Sequence, residues 1–382
     1  DRSGTSAEKV EGLKHIWGRT DLIPLWVADM DFATAPFVTD AIRKRCENEV
    51  LGYTGKPDSY YNAIINWVKQ RYDLIVTKEV INFVPGIVPG IGMAMNCFTQ
   101  KGDKVMIQPP VYHPFAWVTT RNERTLVINP LKWENGMYRM DLDAFREQIK
   151  GCKLFILCNP HNPGGVVWTE AELRAIADIC YDEKVLVFSD EIHADLTLPP
   201  HTHRPFATVS EKARMNSVTF MSPSKAFNMP GLSASHALIF NEDLRKRFRI
   251  YMDAGELDMG HVFAFLSVEA AYSHGTEWLD QCLAYIQGNI DFVDEFLKKH
   301  APKIKAIRPE ASYLVWLDCR ELELSQKDLN EFFVDKAHLA LNDGEMFGKE
   351  GIGFMRLNVA SPRCIIEKAM KQLADAYQLY IK

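Results

Sequence analysis

The sequence predicts an α/β protein in which helices cover both faces of a mostly parallel sheet. Short apolar runs recur through the middle of the chain, and stretches with helical periodicity separate them. Strands that are buried on both faces are typical of parallel sheets whose crossover connections are helices. The chain has 382 residues, which exceeds the size of one simple core, so about two domains are expected.

The predicted elements alternate along the chain. Helices are expected over residues 10–18, 36–50 and 58–73, and a strand near residue 82 enters a glycine turn that precedes a helix over 91–99. Thr169 and Glu172 form a capping box at the start of a further helix. Six apolar runs are candidate strands: Lys104–Gln108, Thr125–Ile128, Leu154–Cys158, Val185–Ser189, Val218–Met221 and Ala237–Phe240.

The pattern changes near residue 277. From there, helices over 279–299, 327–338 and 362–379 alternate with short strands at Tyr313–Leu317 and Phe354–Val359. This predicts a large domain of residues 36–276 and a smaller α/β domain formed by residues 1–35 and 277–382.

Composition and charge exclude several classes of protein. Lys and Arg number 44 and Asp and Glu number 50, which gives a net charge of −6 without a basic block, so nucleic acid is not an expected partner. The 8 cysteines are scattered without a CxxC pair, which indicates free thiols in a reducing, cytoplasmic compartment and no metal site. No apolar run reaches membrane-spanning length, and no signal-peptide core is visible at the N-terminus.

Polar motifs follow four of the predicted strands directly. In an open α/β sheet, ligands bind beyond the carboxyl ends of the strands, so these motifs are expected at one binding edge. Each motif alone could be an ordinary loop, but four at one edge favour a site. They are Pro109–Phe115, Asn159–Gly165, Asp190–Asp195 and Ser222–Asn228.

Lys225 stands at the centre of the last motif. It follows a buried strand and is flanked by Ser222 and Ser224. One interpretation is a solvated lysine in a turn. The other is a sheltered amine whose pKa is lowered by desolvation, as Schiff-base chemistry requires. The heptapeptide alone does not decide between the two.

Arg356 and the glycine turn before residue 91 also allow two interpretations. Arg356 interrupts an apolar strand, either as an edge residue that faces solvent or as a bidentate clamp for a carboxylate. The turn precedes a helix, and the free N–H groups of Ile87 and Val88 would suit a phosphate. It matches neither a Walker A loop nor a dinucleotide fingerprint, so this signal is weak by itself.

One ligand requires all of these groups together. Pyridoxal 5′-phosphate (PLP) needs a Schiff-base lysine, an acid on its pyridine nitrogen and donors for its phosphate. A stacking aromatic and an amide for the ring hydroxyl complete the set. The candidate residues are Lys225, Asp190, Tyr112 and Asn162, with Ile87, Val88, Ser222 and Ser224 at the phosphate and Arg356 at the carboxylate of an amino-acid substrate.

The motifs resemble those of PLP-dependent enzymes of fold type I, and more narrowly the C–S lyase branch that includes cystathionine β-lyases and cystalysin. The resemblance runs nearly end to end, through GYTG, PVYHPF, PHNPGG, SDEIHADL and SPSKAFNMPGL. It implies the cofactor roles given above for Lys225, Asp190, Asn162 and Tyr112, and the substrate-carboxylate role of Arg356. It also implies that Tyr53, an isolated tyrosine otherwise expected on the surface, reaches the phosphate of a neighbouring subunit in a homodimer.

Three positions depart from patterns common among the relatives. Ser233 stands where many aminotransferases place an arginine on the phosphate, and His193, expected at the cofactor, stands where they often have a tyrosine. Both features resemble the lyase branch. His113 replaces a second tyrosine found in some relatives, so substrate preference stays open. The carboxylates of Asp29 and Asp31 mark either a turn after a strand or a segment that crosses the site, with Asp29 as a candidate substrate contact.

The resemblance implies β-elimination, in which Lys225 acts as the base and Lys225 or Tyr112 returns a proton to the leaving thiol. L-Cystathionine, L-cysteine and S-substituted cysteines are the expected substrates, with pyruvate and ammonia as the other products. Two alternatives stay open: an aminotransferase, which shares every cofactor residue, and a regulatory binding protein on the same fold.

Overall fold

The computed structural model describes residues 2–380. Within them lie thirteen α-helices: α1 (Glu8–Trp17), α2 (Pro36–Cys46), α3 (Asp58–Tyr72), α4 (Ile87–Phe98), α5 (Pro114–Arg121), α6 (Leu142–Gln148), α7 (Glu170–Asp182), α8 (Glu211–Met215), α9 (Glu242–Asp253), α10 (Val262–His274), α11 (Thr276–His300), α12 (Gln326–Glu331) and α13 (Arg363–Tyr380). No helix among the described residues is long and apolar enough to cross a membrane.

The strands of the described chain are β1 (Ile23–Pro24), β2 (Ile81–Val84), β3 (Lys104–Ile107), β4 (Thr125–Ile128), β5 (Lys132–Glu134), β6 (Met137–Arg139), β7 (Cys152–Cys158), β8 (Leu186–Asp190), β9 (Ser217–Met221), β10 (Ser235–Leu238), β11 (Lys305–Ile307), β12 (Leu314–Asp318), β13 (Leu339–Ala340), β14 (Asn342–Asp343) and β15 (Phe354–Asn358). All of the sequence-predicted strands are present, and their bounds differ from the prediction by at most two residues.

The main sheet has seven strands in the order β2-β10-β9-β8-β7-β3-β4. All neighbours are parallel except β10, which runs antiparallel to both β2 and β9. This confirms the predicted mostly parallel sheet. Cys158 pairs with Asp190 and Asp190 pairs with Phe220, so the carboxyl ends of β7, β8 and β9 lie level at one edge.

Helices cover both faces of this sheet. Successive residues of β7 illustrate the two cores, because Phe155 packs in the cluster that includes α7 and Ile156 packs in the cluster that includes α4. The capping box of α7 forms as predicted, with Thr169 accepting from the Glu172 N–H and the Glu172 carboxylate accepting from the Thr169 N–H. The continuous apolar runs of the sequence therefore reflect burial on both faces.

Three predicted helix bounds are wrong by four residues or more. The helix expected over 91–99 begins at Ile87. Pro89 is tolerated in its first turn, because the N–H that proline lacks would have no partner within the helix there. The helix expected over 36–50 ends at Cys46. The helix expected over 327–338 is α-helical only to Glu331 and continues as a π-helix to Lys336.

A second sheet, β11-β12-β15-β14, is antiparallel and is built from the C-terminal part of the chain. The N-terminal part joins this region, since β1 runs parallel to β13 with Ile23 opposite Leu339. Arg356 lies at the centre of β15, opposite Trp316 of β12 and Asn342 of β14. The residue boundaries predicted for the two domains stay a prediction.

Candidate active site

A cavity of about 210 Å³ opens at the edge where β7, β8 and β9 end. Its wall contains eight of the residues predicted from sequence: Lys225, Asp190, Asn162, Tyr112, His193, Ser224, Ile87 and Val88. Ala28, Cys158, Ser233 and Ser235 also line it. The topology of the sheet, and not proximity in sequence, brings these groups together, as expected for strand ends in an open α/β sheet.

Lys225 is partly buried, and its Nζ donates a hydrogen bond to the carbonyl oxygen of Ala28. Burial lowers the pKa of this amine from 10.5 to about 8, and the Arg356 charge lowers it further, while Asp29 and Asp190 oppose the shift. A lysine with such a pKa has a substantial neutral fraction near neutral pH. The sheltered amine, and not the solvated turn, is therefore the interpretation that the geometry supports.

Asp190 ends β8 and is 4% exposed. Its Oδ1 accepts a 3.1 Å hydrogen bond from the Ile192 N–H. Burial raises the pKa of this carboxyl from 3.8 to about 7; the neighbouring Glu191 adds to the rise, whereas the Ile192 N–H and the Lys225 charge oppose it. A buried carboxyl of this kind is costly to ionise alone and favours a cationic or proton-sharing partner.

His193 lies in the same wall and is 3% exposed. Burial lowers the pKa of its imidazole to about 3, with smaller contributions from Lys225 and Arg356, so the ring is neutral near pH 7. Its Nδ1 has no hydrogen-bond partner among the described residues. A neutral imidazole can donate or accept one hydrogen bond in the cavity without adding charge.

Tyr112 follows β3 and lies close enough to Asp190 and Arg356 for both charges to affect the pKa of its phenol. Burial raises the pKa of its phenol, and Asp190 raises it further, so the hydroxyl stays protonated and can act as a donor. The ring packs edge-on against Phe115, with 5.7 Å between the ring centres. This fixes an aromatic surface in the wall of the cavity.

Arg356 is 4% exposed and is held by the side chains around it. Its Nη1 donates to Asn162 Oδ1 at 3.0 Å, and its Nη2 donates to Asn342 Oδ1 and to the Trp26 carbonyl oxygen. The guanidinium lies over the Phe347 ring at 4.8 Å, and Nε has no partner among the described residues. Burial lowers its pKa to about 10, which still leaves a cation, and the side chain does not face solvent as an edge residue would.

The start of α4 and three hydroxyls form the part of the cavity suited to a phosphate. Gly86 precedes the helix with φ 144° and caps it without a side chain, so the first N–H groups of α4 have no partner within the helix. Ile87 and Val88 line the cavity together with Ser224, Ser233 and Ser235. These groups offer N–H and O–H donors. They include no arginine, because Ser233 stands at the position where many aminotransferases have one.

Two residues predicted to bind the cofactor, Ser222 and Tyr53, do not line the cavity of their own chain. Ser222 does not line the cavity; its Oγ donates to Ala234 O at 2.7 Å, lies 2.8 Å from Ser224 Oγ and accepts from the Ser224 N–H, so it orients Ser224. Tyr53 is 98% exposed on the connection between α2 and α3 and does not line this cavity.

Asp29 is also absent from the cavity wall. Its Oδ2 accepts from Arg2 Nη2 at 2.8 Å, and its Oδ1 lies 3.6 Å from Lys9 Nζ. The carboxylate is close enough to Lys225 to raise the pKa of that amine, and Oδ1 has no hydrogen bond among the described residues. Its predicted substrate contact is not tested by these distances.

Sequence analysis missed two contributors. Ala28 acts through its backbone carbonyl, which has no signature in a sequence. Ser235 opens β10, and a buried hydroxyl at the start of an apolar strand could have indicated it. Among the described residues, no group of three or more His, Cys, Asp or Glu side chains could hold a metal ion.

The donor set fits the predicted cofactor. An amine with a lowered pKa, a buried carboxyl, an aromatic ring, an amide and a helix N-terminus with three hydroxyls line one cavity. These are the groups that a flat pyridine ring with a phosphate and an aldehyde requires. Asn162 Oδ1 is engaged by Arg356, which leaves its amide Nδ2 as the donor for a ring hydroxyl.

Comparisons with known proteins agree with this architecture. The model of the aminotransferase class I and II family matches residues 20–373. Cystathionine β-lyase PatB of Bacillus subtilis is 37% identical over 378 residues, covering 98% of each chain. Cystalysin of Treponema denticola, whose crystal structure contains a pyridoxal 5′-phosphate cofactor, superposes with a TM-score of 0.96 at 33% identity, covering 100% of this chain and 98% of that one.

A further solved structure, the PLP-bound C–S lyase of Staphylococcus hominis, superposes with a TM-score of 0.90 at 34% identity and covers 98% of this chain and 96% of that one. The similarity therefore extends over both sheets, and it includes the region that carries Arg356. The chain belongs to the aminotransferase class I and II family.

Proposed function

We propose that this protein is a PLP-dependent C–S β-lyase that cleaves L-cystathionine, L-cysteine or S-substituted cysteines to a thiol, pyruvate and ammonia. The full-length similarity to a cystathionine β-lyase at 37% identity carries the proposal. The cavity supplies matching groups, because a lysine suited to the cofactor and a buried carboxyl line it, and Arg356, the proposed carboxylate clamp, contacts Asn162 in its wall.

The cofactor is PLP, which when bound supplies an electron sink for negative charge at the substrate Cα. Asp190, as a buried carboxyl, would hold a proton at the pyridine nitrogen and so keep that sink effective. The N–H groups of Ile87 and Val88 and the hydroxyl of Ser224 would hold the phosphate, and Ser222 orients Ser224. His193 and Asn162 add neutral hydrogen bonds.

Substrate is oriented by Arg356, whose guanidinium holds the amino acid's carboxylate in a charge-assisted hydrogen bond. Asn162 and Asn342 keep this arginine in place before substrate arrives, so little ordering is needed on binding. Asp29 is the candidate for a second substrate contact through Oδ1.

Lys225 Nζ removes the Cα proton as general base, and its lowered pKa favours the neutral amine that this step needs. The electron pair left at Cα then forms the Cα=Cβ double bond while the Cβ–S bond breaks with its own pair on sulfur. The thiolate receives a proton from Lys225 or from the protonated phenol of Tyr112. The remaining three-carbon fragment hydrolyses to pyruvate and ammonia.

The deciding assay contains L-cystathionine and PLP but no keto acid, and it follows pyruvate and free thiol. We expect equal amounts of both from the wild type, and a loss of about four orders of magnitude or more in Lys225→Ala, because general base and cofactor attachment disappear together. Amino transfer that appears only with 2-oxoglutarate would assign the protein as an aminotransferase. Native turnover in Lys225→Ala would contradict the mechanism.

The assembly and location are also proposals. Tyr53 is almost fully exposed, next to the exposed apolar side chains of Val50 and Leu51, which supports a homodimer in which Tyr53 reaches the neighbouring site. A cytoplasmic location is supported by free thiols, since all 8 cysteines are unpaired and Cys46 and Cys364 are exposed.

A further inference from the structure

Residues 26–32 form a stretch that we name the inner segment, and it carries two carboxylates. The proposed function gives Asp29 a substrate contact and gives Asp31 no role. Its backbone lies against the active site. The Ala28 carbonyl oxygen accepts from Lys225 Nζ and from the Tyr313 hydroxyl at 3.0 Å. Asn358 Nδ2 donates to the carbonyl oxygens of Val27 and Asp29 at 2.7 and 2.6 Å. The segment therefore connects β15 with the catalytic lysine.

The carboxylates of the inner segment contact helix α1. Asp31 Oδ2 accepts from Lys9 Nζ at 2.8 Å, and Lys9 Nζ also donates to the Asp29 carbonyl oxygen at 3.3 Å. The Trp26 indole N–H donates to the Lys9 carbonyl oxygen at 3.0 Å. One residue of α1 thus contacts both ends of the stretch that carries Ala28.

Lys9 is 0% exposed, which is rare for a lysine. A buried ammonium is retained only when anions or hydrogen-bond acceptors surround it, and Asp29 and Asp31 supply these. Arg2 contacts the same two carboxylates, but its side chain is 35% exposed, so water screens that pair. The buried lysine, and not the exposed arginine, is the firm connection.

We propose that Lys9 is a positioning residue for the catalytic lysine. It anchors the inner segment to α1 and thereby fixes the Ala28 carbonyl that accepts the Lys225 amine. This inference rests on the proposed function, in which the free Lys225 amine removes the Cα proton. If the Ala28 carbonyl shifts, the amine loses the acceptor that directs it, and a displacement of about 1 Å can cost about 100-fold in rate.

The test compares the wild type with the Lys9→Met and Arg2→Met holoenzymes. Met keeps the length and burial of Lys9 without its charge, and Arg2→Met removes the exposed partner of the same carboxylates. Turnover of L-cystathionine is expressed per cofactor-loaded site, measured from the visible absorbance of the bound cofactor, so that a misfolded fraction does not count. Hydrogen–deuterium exchange of the peptide over 26–32, read by mass spectrometry, reports the segment independently of activity.

In Lys9→Met we expect kcat per loaded site to fall about 10- to 100-fold with KM within about threefold, and exchange over 26–32 to increase. The isotope effect on kcat with α-deuterated substrate should be at least that of the wild type, because proton removal is the step that slows. Arg2→Met should stay within about threefold of the wild type in every readout.

Other results would overturn the inference. Unchanged exchange and kcat in Lys9→Met, equal losses in Arg2→Met, or a reduced isotope effect would each do so, the last by placing the loss at another step. If Lys9→Met does not fold, Asp31→Asn, which removes the negative charge 2.8 Å from the Lys9 ammonium, must show the same changes. A wild type that releases no pyruvate would instead overturn the proposed function, and the exchange comparison alone would then decide whether Lys9 holds the segment.

Discussion

Burial moves the pKa values of the cavity's amine and of its carboxyl towards each other. The pKa of Lys225 falls to about 8 and that of Asp190 rises to about 7, and in both groups desolvation is the largest cause. Each shift disfavours the charged form, so both groups gain when the cofactor gives them a partner. Cofactor binding should therefore offset part of the free-energy cost of burying these two groups.

The raised pKa of Asp190 makes stability depend on pH in a defined window. A carboxyl whose folded-state pKa is raised stabilises the fold below its unfolded value of 3.8, and this contribution is lost as pH rises through about 7. Without cofactor, Asp190→Asn should therefore be more stable than the wild type at pH 8, by an amount of the order of 2–4 kcal/mol, and should approach it near pH 4.

Urea unfolding of the two cofactor-free proteins across this pH range checks the prediction. Asp40→Asn, at a carboxylate whose side chain is 65% exposed, is the matched control and should show no such trend. A stability difference between Asp190→Asn and the wild type that does not change with pH would show that burial does not raise the pKa of Asp190.

Arg356 carries the second prediction at the residue scale. The planar guanidinium of Arg356 donates to Asn162 and Asn342 and still has N–H groups for a carboxylate. The single ammonium of a lysine cannot reproduce this geometry. Arg356→Lys should raise KM for L-cystathionine by about 10- to 100-fold with the visible absorbance of the cofactor unchanged. Arg320→Lys, at an arginine that pairs with Asp318 outside the cavity, should leave KM at the wild-type value. An unchanged KM in Arg356→Lys would remove this arginine from the substrate site.

At the scale of elements, the sequence predicted best what depends on local pattern. The strands were recognised because burial on both faces produces continuous apolar runs, and the polar motifs were assigned to one edge because parallel strands end together. Helix α4 begins four residues before the predicted bound, because Gly86 ends the turn and Pro89 is compatible with the first turn of a helix.

Contacts between distant parts of the chain could not be predicted in this way. Lys9 and Asp31 are 22 residues apart, and nothing in either local pattern indicates that the lysine is buried. The Ala28 carbonyl that accepts from Lys225 belongs to the backbone of a residue 197 positions away. Such pairs depend on how β15, α1 and the Lys225 loop pack, which periodicity does not encode.

The capping box of α7 gives a prediction at the same scale. Thr169→Ala removes the acceptor for the Glu172 N–H and should lower the free energy of unfolding by about 1 kcal/mol. Glu172→Gln keeps a side chain that can complete the box, so it should cost only a few tenths of that amount. Urea unfolding at pH 7 measures both variants. Equal losses would contradict this expectation and indicate that the Glu172 charge at the helix start contributes as much as the Thr169 acceptor.

At the scale of the whole molecule, one chain assembles almost the complete cavity. Strands β7, β8 and β10 and helix α4 line it, and Arg356 of the second sheet contacts Asn162 in its wall. The order of the strands in the sheet cannot be read from the sequence. Tyr53 is the exception, because the resemblance assigns it to the cofactor phosphate while the chain leaves it 98% exposed. Both statements hold together only if Tyr53 serves the site of a second copy.

Subunit mixing tests this arrangement. Lys225→Ala and Tyr53→Ala should each have low activity, but a hybrid dimer contains one site with an intact Lys225 from one chain and an intact Tyr53 from the other. Random exchange of equal amounts should restore about a quarter of the wild-type rate, since about half of the dimers are hybrids with one working site each.

Mixing Lys225→Ala with Arg356→Lys is the matched control. Lys225 and Arg356 lie in the same chain's site, with the Arg356 charge lowering the pKa of the Lys225 amine, so no hybrid of these two variants contains an intact site. Both mixtures are assayed with L-cystathionine well below the wild-type KM, where the raised KM of Arg356→Lys makes that variant slow. Rescue in the first mixture and none in the second would then place Tyr53 across the interface. If neither mixture recovers although mass spectrometry shows that subunits exchange, Tyr53 acts in its own chain or not at all, and the shared-site dimer is wrong.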